Sequence, residues 1–70
     1  MLMVYYELKP EYARVEPSFR PGIRYPELEP PDAIGYAFVE LHGRRRAIDT
    51  RHFDRLEGSQ NAGRSHRVSR

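Results

Sequence analysis

The chain has 70 residues, a formal net charge of +2 and no cysteine, so neither disulfides nor thiolate–zinc sites can stabilise it. Its length suits one domain and leaves no room for a second. A chain this short buries only about 60% of its unfolded surface, which predicts marginal stability and favours support from a partner or from oligomerisation.

The first stretch of the chain predicts a strand followed by a turn. Leu2 to Leu8 alternates between two sets of side chains, as a strand requires, and Pro10 suits the second position of a turn over residues 9–12. Residues 12–16 favour a returning strand over a short helix, because prolines lie on both sides of them. The apolar start is too short for a signal peptide or a membrane span, so we expect a cytoplasmic protein that contacts no membrane.

A proline-rich segment follows, with five of the six prolines in residues 17–31. Proline removes a backbone donor and fixes φ, so the segment predicts an extended crossover against the sheet and argues against a central strand. Its expected apolar contacts are Phe19, Ile23, Tyr25 and Leu28. An alternative is a partner-facing strap that presents Tyr25, Glu27 and Glu29.

The clearest element is a β-hairpin that begins at Tyr36. Alternation over residues 36–42 divides the side chains between two faces, and the inner face takes Ala37, Val39 and Leu41. The outer face takes Tyr36, Phe38, Glu40 and His42.

Gly43 marks the turn of this hairpin. A two-residue Gly43-Arg44 loop of type II′ would pair Val39 with Ile48 and set Arg46 across from Leu41. In that register Ile48 joins the inner face, and Arg46 lays its aliphatic stem over the edge of the core.

The end of the chain predicts a helical turn and then a tail. Asp49 or Thr50 can cap a short helix with Phe53 and Leu56 one turn apart. Residues 58–70 contain only two apolar residues, so we expect a disordered basic tail after a folded domain of residues 1–57. The predicted fold is mostly β (small α+β): about four antiparallel strands, either open or curled towards an SH3-like barrel, with one short C-terminal helical turn.

No arrangement of side chains predicts catalysis, a cofactor or a metal. The serines lie in the proline-rich segment or the tail, and a His52–Asp49 pair competes with the use of Asp49 as a cap. The histidines show no metal-ligand spacing, and the glycines form no phosphate-binding pattern. The sequence therefore predicts a protein that is not an enzyme.

Charge is distributed unevenly along the chain. Residues 1–43 carry four basic residues against seven acidic ones, a net charge of −3, and residues 44–70 carry eight arginines against three acidic residues, a net charge of +5. The predicted partner-binding residues are Arg44, Arg45, Arg46, Arg51 and Arg55. Tail residues that could contact nucleic acid are Arg64, Arg67 and Arg70. The alternative is a solubilising rim, partly neutralised by Asp49, Asp54 and Glu57.

Two functional hypotheses follow from this pattern. The first is a small regulatory protein that docks on a larger protein complex, and the second is a module that binds RNA or single-stranded DNA through the hairpin and the tail. In size, lack of cysteine, arginine-rich hairpin and basic tail, the layout resembles small stand-alone regulators encoded by phages. Many of those act on host RNA polymerase, so the resemblance implies the transcription machinery as a partner, although it transfers no functional residue.

Overall fold

The computed structural model of the chain describes residues 2–59 and contains five strands and two 3-10 turns. The strands are β1 (Leu2–Leu8), β2 (Arg24–Glu29), β3 (Tyr36–Leu41), β4 (Arg44–Asp49) and β5 (Phe53–Ser59). The 3-10 turns are Pro10–Tyr12 and Thr50–His52. All four strand pairs are antiparallel, in the order β4-β3-β2-β1-β5. The predicted mostly β, antiparallel class is confirmed, with five strands where about four were predicted.

The sheet is strongly curled, because β4 and β5 lie at its opposite edges while only Thr50–His52 connects them. Neighbouring strands lie about 4.8 Å apart, so the edges of a flat five-stranded sheet would be about 19 Å apart. Four residue steps span at most about 14 Å when fully extended, and a 3-10 turn is shorter still. Among residues 2–59 no ladder joins β4 to β5, so the sheet is open, and closure into an SH3-like barrel stays a prediction.

The predicted second strand over residues 12–16 is wrong. The predicted turn before it is present, since the Tyr12 N–H donates to the Lys9 carbonyl at 2.9 Å. The Tyr12 carbonyl then accepts from the N–H groups of Val15 and Glu16, at 3.0 and 3.1 Å. These local bonds satisfy the backbone within the turn, so the segment needs no strand partner.

The exclusion of the proline-rich segment from the centre of the sheet is also wrong. β2 lies between β1 and β3 and contains Pro26, which pairs with Tyr5 of β1 but lies outside the pairs that join β2 to β3. A proline is excluded from a central strand only where its nitrogen would have to donate to a ladder. The register of the β2–β3 pairing shifts between Glu27 and Glu29, and an irregularity of this kind bends the strand.

The hairpin is present with a different turn. Its loop is His42-Gly43, and positive φ values of 53° and 76° at both positions identify a type I′ turn in place of the predicted type II′ turn. Ile48 therefore pairs with Ala37, and Arg46 pairs with Val39 and not with Leu41. The partner of each β3 residue moves by two positions, so every strand residue keeps its predicted face, whereas His42, predicted on the outer face, lies in the loop.

Replacing Gly43 with alanine is expected to destabilise the fold by about 1–2 kcal/mol, because an L-residue is strained in the left-handed region. The cost is conformational alone, since among residues 2–59 no heavy atom beyond the chain neighbours of Gly43 lies within 4 Å of the added Cβ. Gly58→Ala is the matched control, as Gly58 lies in β5 without a positive φ and with the same open space. Urea denaturation followed by circular dichroism measures both variants. Equal midpoints for the two would contradict the strained-turn account.

The predicted helix over Phe53 and Leu56 is wrong, because these residues lie in β5. In this part of the chain, within residues 2–59, only Thr50–His52 is helical, and Asp49 caps it as predicted, accepting the Arg51 N–H at 3.0 Å. β5 pairs with β1 along its whole length and continues to Ser59, two residues beyond the predicted domain boundary. The remaining residues of the predicted tail, 60–70, lie outside the described residues.

The core lies on the concave inner face of the sheet and is entirely apolar or aromatic. Its buried residues are Tyr6, Leu8, Phe19, Tyr25, Ala37, Val39, Leu41, Ile48 and Phe53. Phe19 comes from the loop before β2 and packs edge-on against Tyr25 and Phe53, with ring centroids 5.0 and 5.2 Å apart. The loop therefore covers the open side of the sheet. No helical segment within residues 2–59 is long and apolar enough to cross a membrane.

Candidate functional site

A cleft of about 550 Å³ lies between the loop that carries Phe19 and the tip of the β3–β4 hairpin. It is called the basic cleft here and is lined by Pro17, Ser18, Arg20, Ile23, Tyr25, Leu41, His42 and Arg46. Its two walls come from segments about 20 residues apart in the sequence, which the curled sheet brings together. The basic cleft therefore combines basic and apolar side chains in one concave surface.

The floor of the basic cleft is apolar and held in place. Tyr25 and Leu41 are each 7% exposed, and Ile23, 45% exposed, projects from the loop. The Tyr25 hydroxyl accepts the backbone N–H of Arg20 at 2.9 Å, which fixes the loop against the sheet. Such a surface suits an apolar side chain of a ligand.

The charged groups around this floor have one sign. They are the guanidinium groups of Arg20 and Arg46; His42 also lines the basic cleft, and no carboxylate of residues 2–59 does. Within residues 2–59, Arg20 and Arg46 form no salt bridge. The Arg46 guanidinium lies 5.7 Å from the centre of the Phe19 ring, so its stem covers the core while its charge stays exposed. The basic cleft can therefore bind an anionic group beside an apolar one.

Arg45 lies on the opposite face of the hairpin, as strand alternation requires. Its guanidinium contacts the Glu29 carboxylate at 2.6 Å and lies 4.1 Å above the Phe38 ring. Its charge is thus balanced locally, and the guanidinium covers one face of the Phe38 ring.

Arg51 and Arg55 lie in different elements, and each forms a salt bridge with a nearby carboxylate. Arg51 lies in the 3-10 turn and binds both Asp49 oxygens, at 3.0 and 2.7 Å, and these hydrogen bonds lower the pKa of Asp49 to about 2. Arg55 lies in β5 and donates to Glu57 at 2.9 Å. Of the five predicted partner-binding arginines, Arg44 and Arg46 alone form no salt bridge within the described part of the chain. Arg64, Arg67 and Arg70 lie outside the described residues.

His52 has a structural partner other than the one considered from the sequence. Its Nδ1 lies 2.8 Å from a Glu16 oxygen, and its ring stacks on Tyr12 with centroids 4.4 Å apart. This contact fastens the turn after β1 to the turn before β5. Among residues 2–59, no three His, Asp or Glu side chains are grouped closely enough to hold a metal ion.

The sequence did not indicate Arg20 as part of a site. A Pro21-Gly22 pair follows it, and Gly22 has a positive φ of 87°, so the chain turns back there and sets Arg20 against the hairpin tip. A Pro-Gly pair in a sequence indicates a turn but not which part of the fold that turn faces. The partner-facing strap is wrong for Tyr25, which is buried, and the Glu27 carboxylate instead accepts the Tyr6 hydroxyl at 2.8 Å.

No protein-family model, curated protein or solved structure matches this chain.

Proposed function

We propose that this chain is a small non-enzymatic regulatory protein that docks on an acidic surface of a larger protein assembly through the basic cleft. The observation that carries the proposal is the set of like charges around an apolar floor, with Arg20 and Arg46 in no salt bridge within residues 2–59. An acidic protein surface with an exposed apolar side chain complements both properties.

A nucleic-acid ligand fits the same surface less well. A phosphate backbone needs cations along a track, whereas Arg45, Arg51 and Arg55 are each paired with a carboxylate. Bases need an open aromatic face, and the Phe38 ring has the Arg45 guanidinium above it. These contacts favour a protein partner, and the nucleic-acid module is an outcome that the experiment below can identify.

Bacterial RNA polymerase is the first assembly to test within this proposal. It combines acidic protein surfaces with nearby nucleic acid, and the chain itself combines a net charge of −3 over residues 1–43 with +5 over residues 44–70. Size and layout similar to those of phage-encoded regulators point to the same partner. A cytoplasmic location belongs to this proposal.

The test is affinity capture from a bacterial lysate, with and without nuclease, followed by direct binding to purified RNA polymerase. The cleft variant is Arg20→Glu with Arg46→Glu. The control is Lys9→Glu with Arg14→Glu, which changes the net charge equally but alters no residue that lines the basic cleft or belongs to β4. We expect capture that survives nuclease, is unchanged in the control and falls by about tenfold or more in the cleft variant.

Each other result overturns part of the proposal. Capture that disappears with nuclease identifies the nucleic-acid module instead. Equal capture by all three proteins removes the basic cleft as the docking surface. A defined complex that lacks RNA polymerase removes that partner but keeps the docking proposal.

A further inference from the structure

The outer edge of β4 carries backbone groups that face away from the sheet. Leu41 and Arg44 flank the two-residue loop, and in such a hairpin the flanking residues exchange hydrogen bonds with each other. The exchanging pairs then recur at every second position, which leaves the N–H and C=O groups of Arg45 and Ala47 directed away from β3. Within residues 2–59 no strand pairs with this edge.

Side chains beside this edge differ between its two faces. Arg44 and Arg46 lie on the inner face, exposed and in no salt bridge within the described residues. Arg45 lies on the outer face and is paired with Glu29, and next to it Ala47 presents only a methyl group. The uncompensated charge is therefore on one face, at two alternate positions.

This pattern selects among the chains that could add to the edge. A second copy of β4 would bring arginines beside arginines, and like charges on neighbouring strands are destabilising. Residues 60–70 of the chain itself carry Arg64, Arg67 and Arg70 and no acidic residue, so they have the same sign of charge. An extended segment with acidic side chains at alternate positions has the complementary charge.

We propose that β4 accepts an extended acidic segment of the partner as an added antiparallel strand, with acidic side chains facing Arg44 and Arg46. The inference rests on the proposed function for the acidic character of the partner and adds the mode of binding. In antiparallel pairing, the ligand residues opposite Arg45 and Ala47 donate their N–H groups to those two carbonyls. The acidic residues alternate with these ligand residues, so the N–H groups of the acidic residues point away from β4.

An acetylated eight-residue peptide of alternating glutamate and valine is the probe. Two matched peptides carry backbone N-methyl groups, one on the valines and the other on the glutamates. Antiparallel pairing with the glutamates on the inner face requires the valine N–H groups, so valine methylation is expected to weaken binding by about tenfold or more, with a much smaller effect from glutamate methylation. Fluorescence anisotropy measures the affinities, and NMR hydrogen exchange is expected to show the Arg45 and Ala47 amides newly protected.

Three results overturn the inference, and none of them decides the proposed function. If all three peptides bind equally, the acidic charge alone is recognised and no strand is added. If glutamate methylation is the damaging change, the added strand has the opposite direction. If the unmodified peptide does not bind, the edge of β4 does not accept an added strand. The docking proposal is then tested only by the capture experiment with the cleft variant.

Discussion

Replacing Phe19 with alanine is expected to unfold a large fraction of the molecules at room temperature. Phe19 is 3% exposed and packs between the rings of Tyr25 and Phe53. Truncating a buried phenylalanine costs about 3–5 kcal/mol, and a core in a chain of this size rarely supplies more than about 3–5 kcal/mol of net stability. The substitution therefore removes most of the free energy of unfolding.

Urea denaturation followed by circular dichroism tests this expectation. Val15→Ala is the control, because Val15 is also an apolar residue of the loop but is 60% exposed, and its truncation is expected to change stability by less than about 0.5 kcal/mol. A Phe19→Ala protein with the cooperative transition and midpoint of the control would show that the loop contributes nothing to the core. The same variant is expected to open the basic cleft, since Arg46 rests on the Phe19 ring.

Strand alternation predicted the inner face of the hairpin because it is a local property. Ala37, Val39, Leu41 and Ile48 are all buried, although the turn was assigned to the wrong residue pair. A shift of two positions preserves the faces, so the burial prediction did not depend on the register. Leu2 to Leu8 was predicted correctly for the same reason.

The two missed strands depend on pairing between distant segments. Phe53 and Leu56 have a spacing that suits one turn of helix, but seven pairs with β1 hold them in β5. The sequence of residues 53–59 does not indicate that β1 is the partner of this segment. β2 was missed because proline was taken to exclude a central strand, whereas only the direction of the proline nitrogen matters.

Which arginines form salt bridges could not be predicted from the sequence. Opposite faces for neighbouring arginines in the hairpin follow from alternation, but which carboxylate pairs with each guanidinium does not. Arg45 pairs with Glu29 across the intervening strand β3, and Arg20 lines the basic cleft together with the hairpin tip because its loop folds back. Of the partner-binding residues predicted from the sequence, Arg44 and Arg46 are the two that form no salt bridge among residues 2–59.

Replacing Tyr6 with phenylalanine is expected to destabilise the fold and to change its response to alkaline pH. The Tyr6 side chain is fully buried, and its hydroxyl donates to the Glu27 carboxylate at 2.8 Å. Loss of that donor leaves a carboxylate whose side chain is only 12% exposed without its nearest partner. Removing a hydrogen bond to such a charged group costs about 1.5–3 kcal/mol.

The alkaline response separates this hydrogen bond from simple packing. Burial, together with the hydrogen bond to Glu27, raises the pKa of Tyr6 above its ordinary value of 10.0. Because its pKa is raised, the folded protein holds the Tyr6 proton more tightly than the unfolded chain does. This stabilises the fold fully at pH values below the unfolded-state pKa, and the stabilisation is lost as the pH rises through the folded-state pKa. The wild type is therefore expected to lose stability between about pH 9 and pH 11, and Tyr6→Phe to lose less over the same interval. Urea midpoints at the two ends of this pH interval measure the loss of stability in both proteins.

Tyr36→Phe is the control, because Tyr36 is 43% exposed, and it is expected to keep the wild-type slope. Parallel slopes for wild type and Tyr6→Phe would show that the Tyr6 hydroxyl does not govern alkaline unfolding.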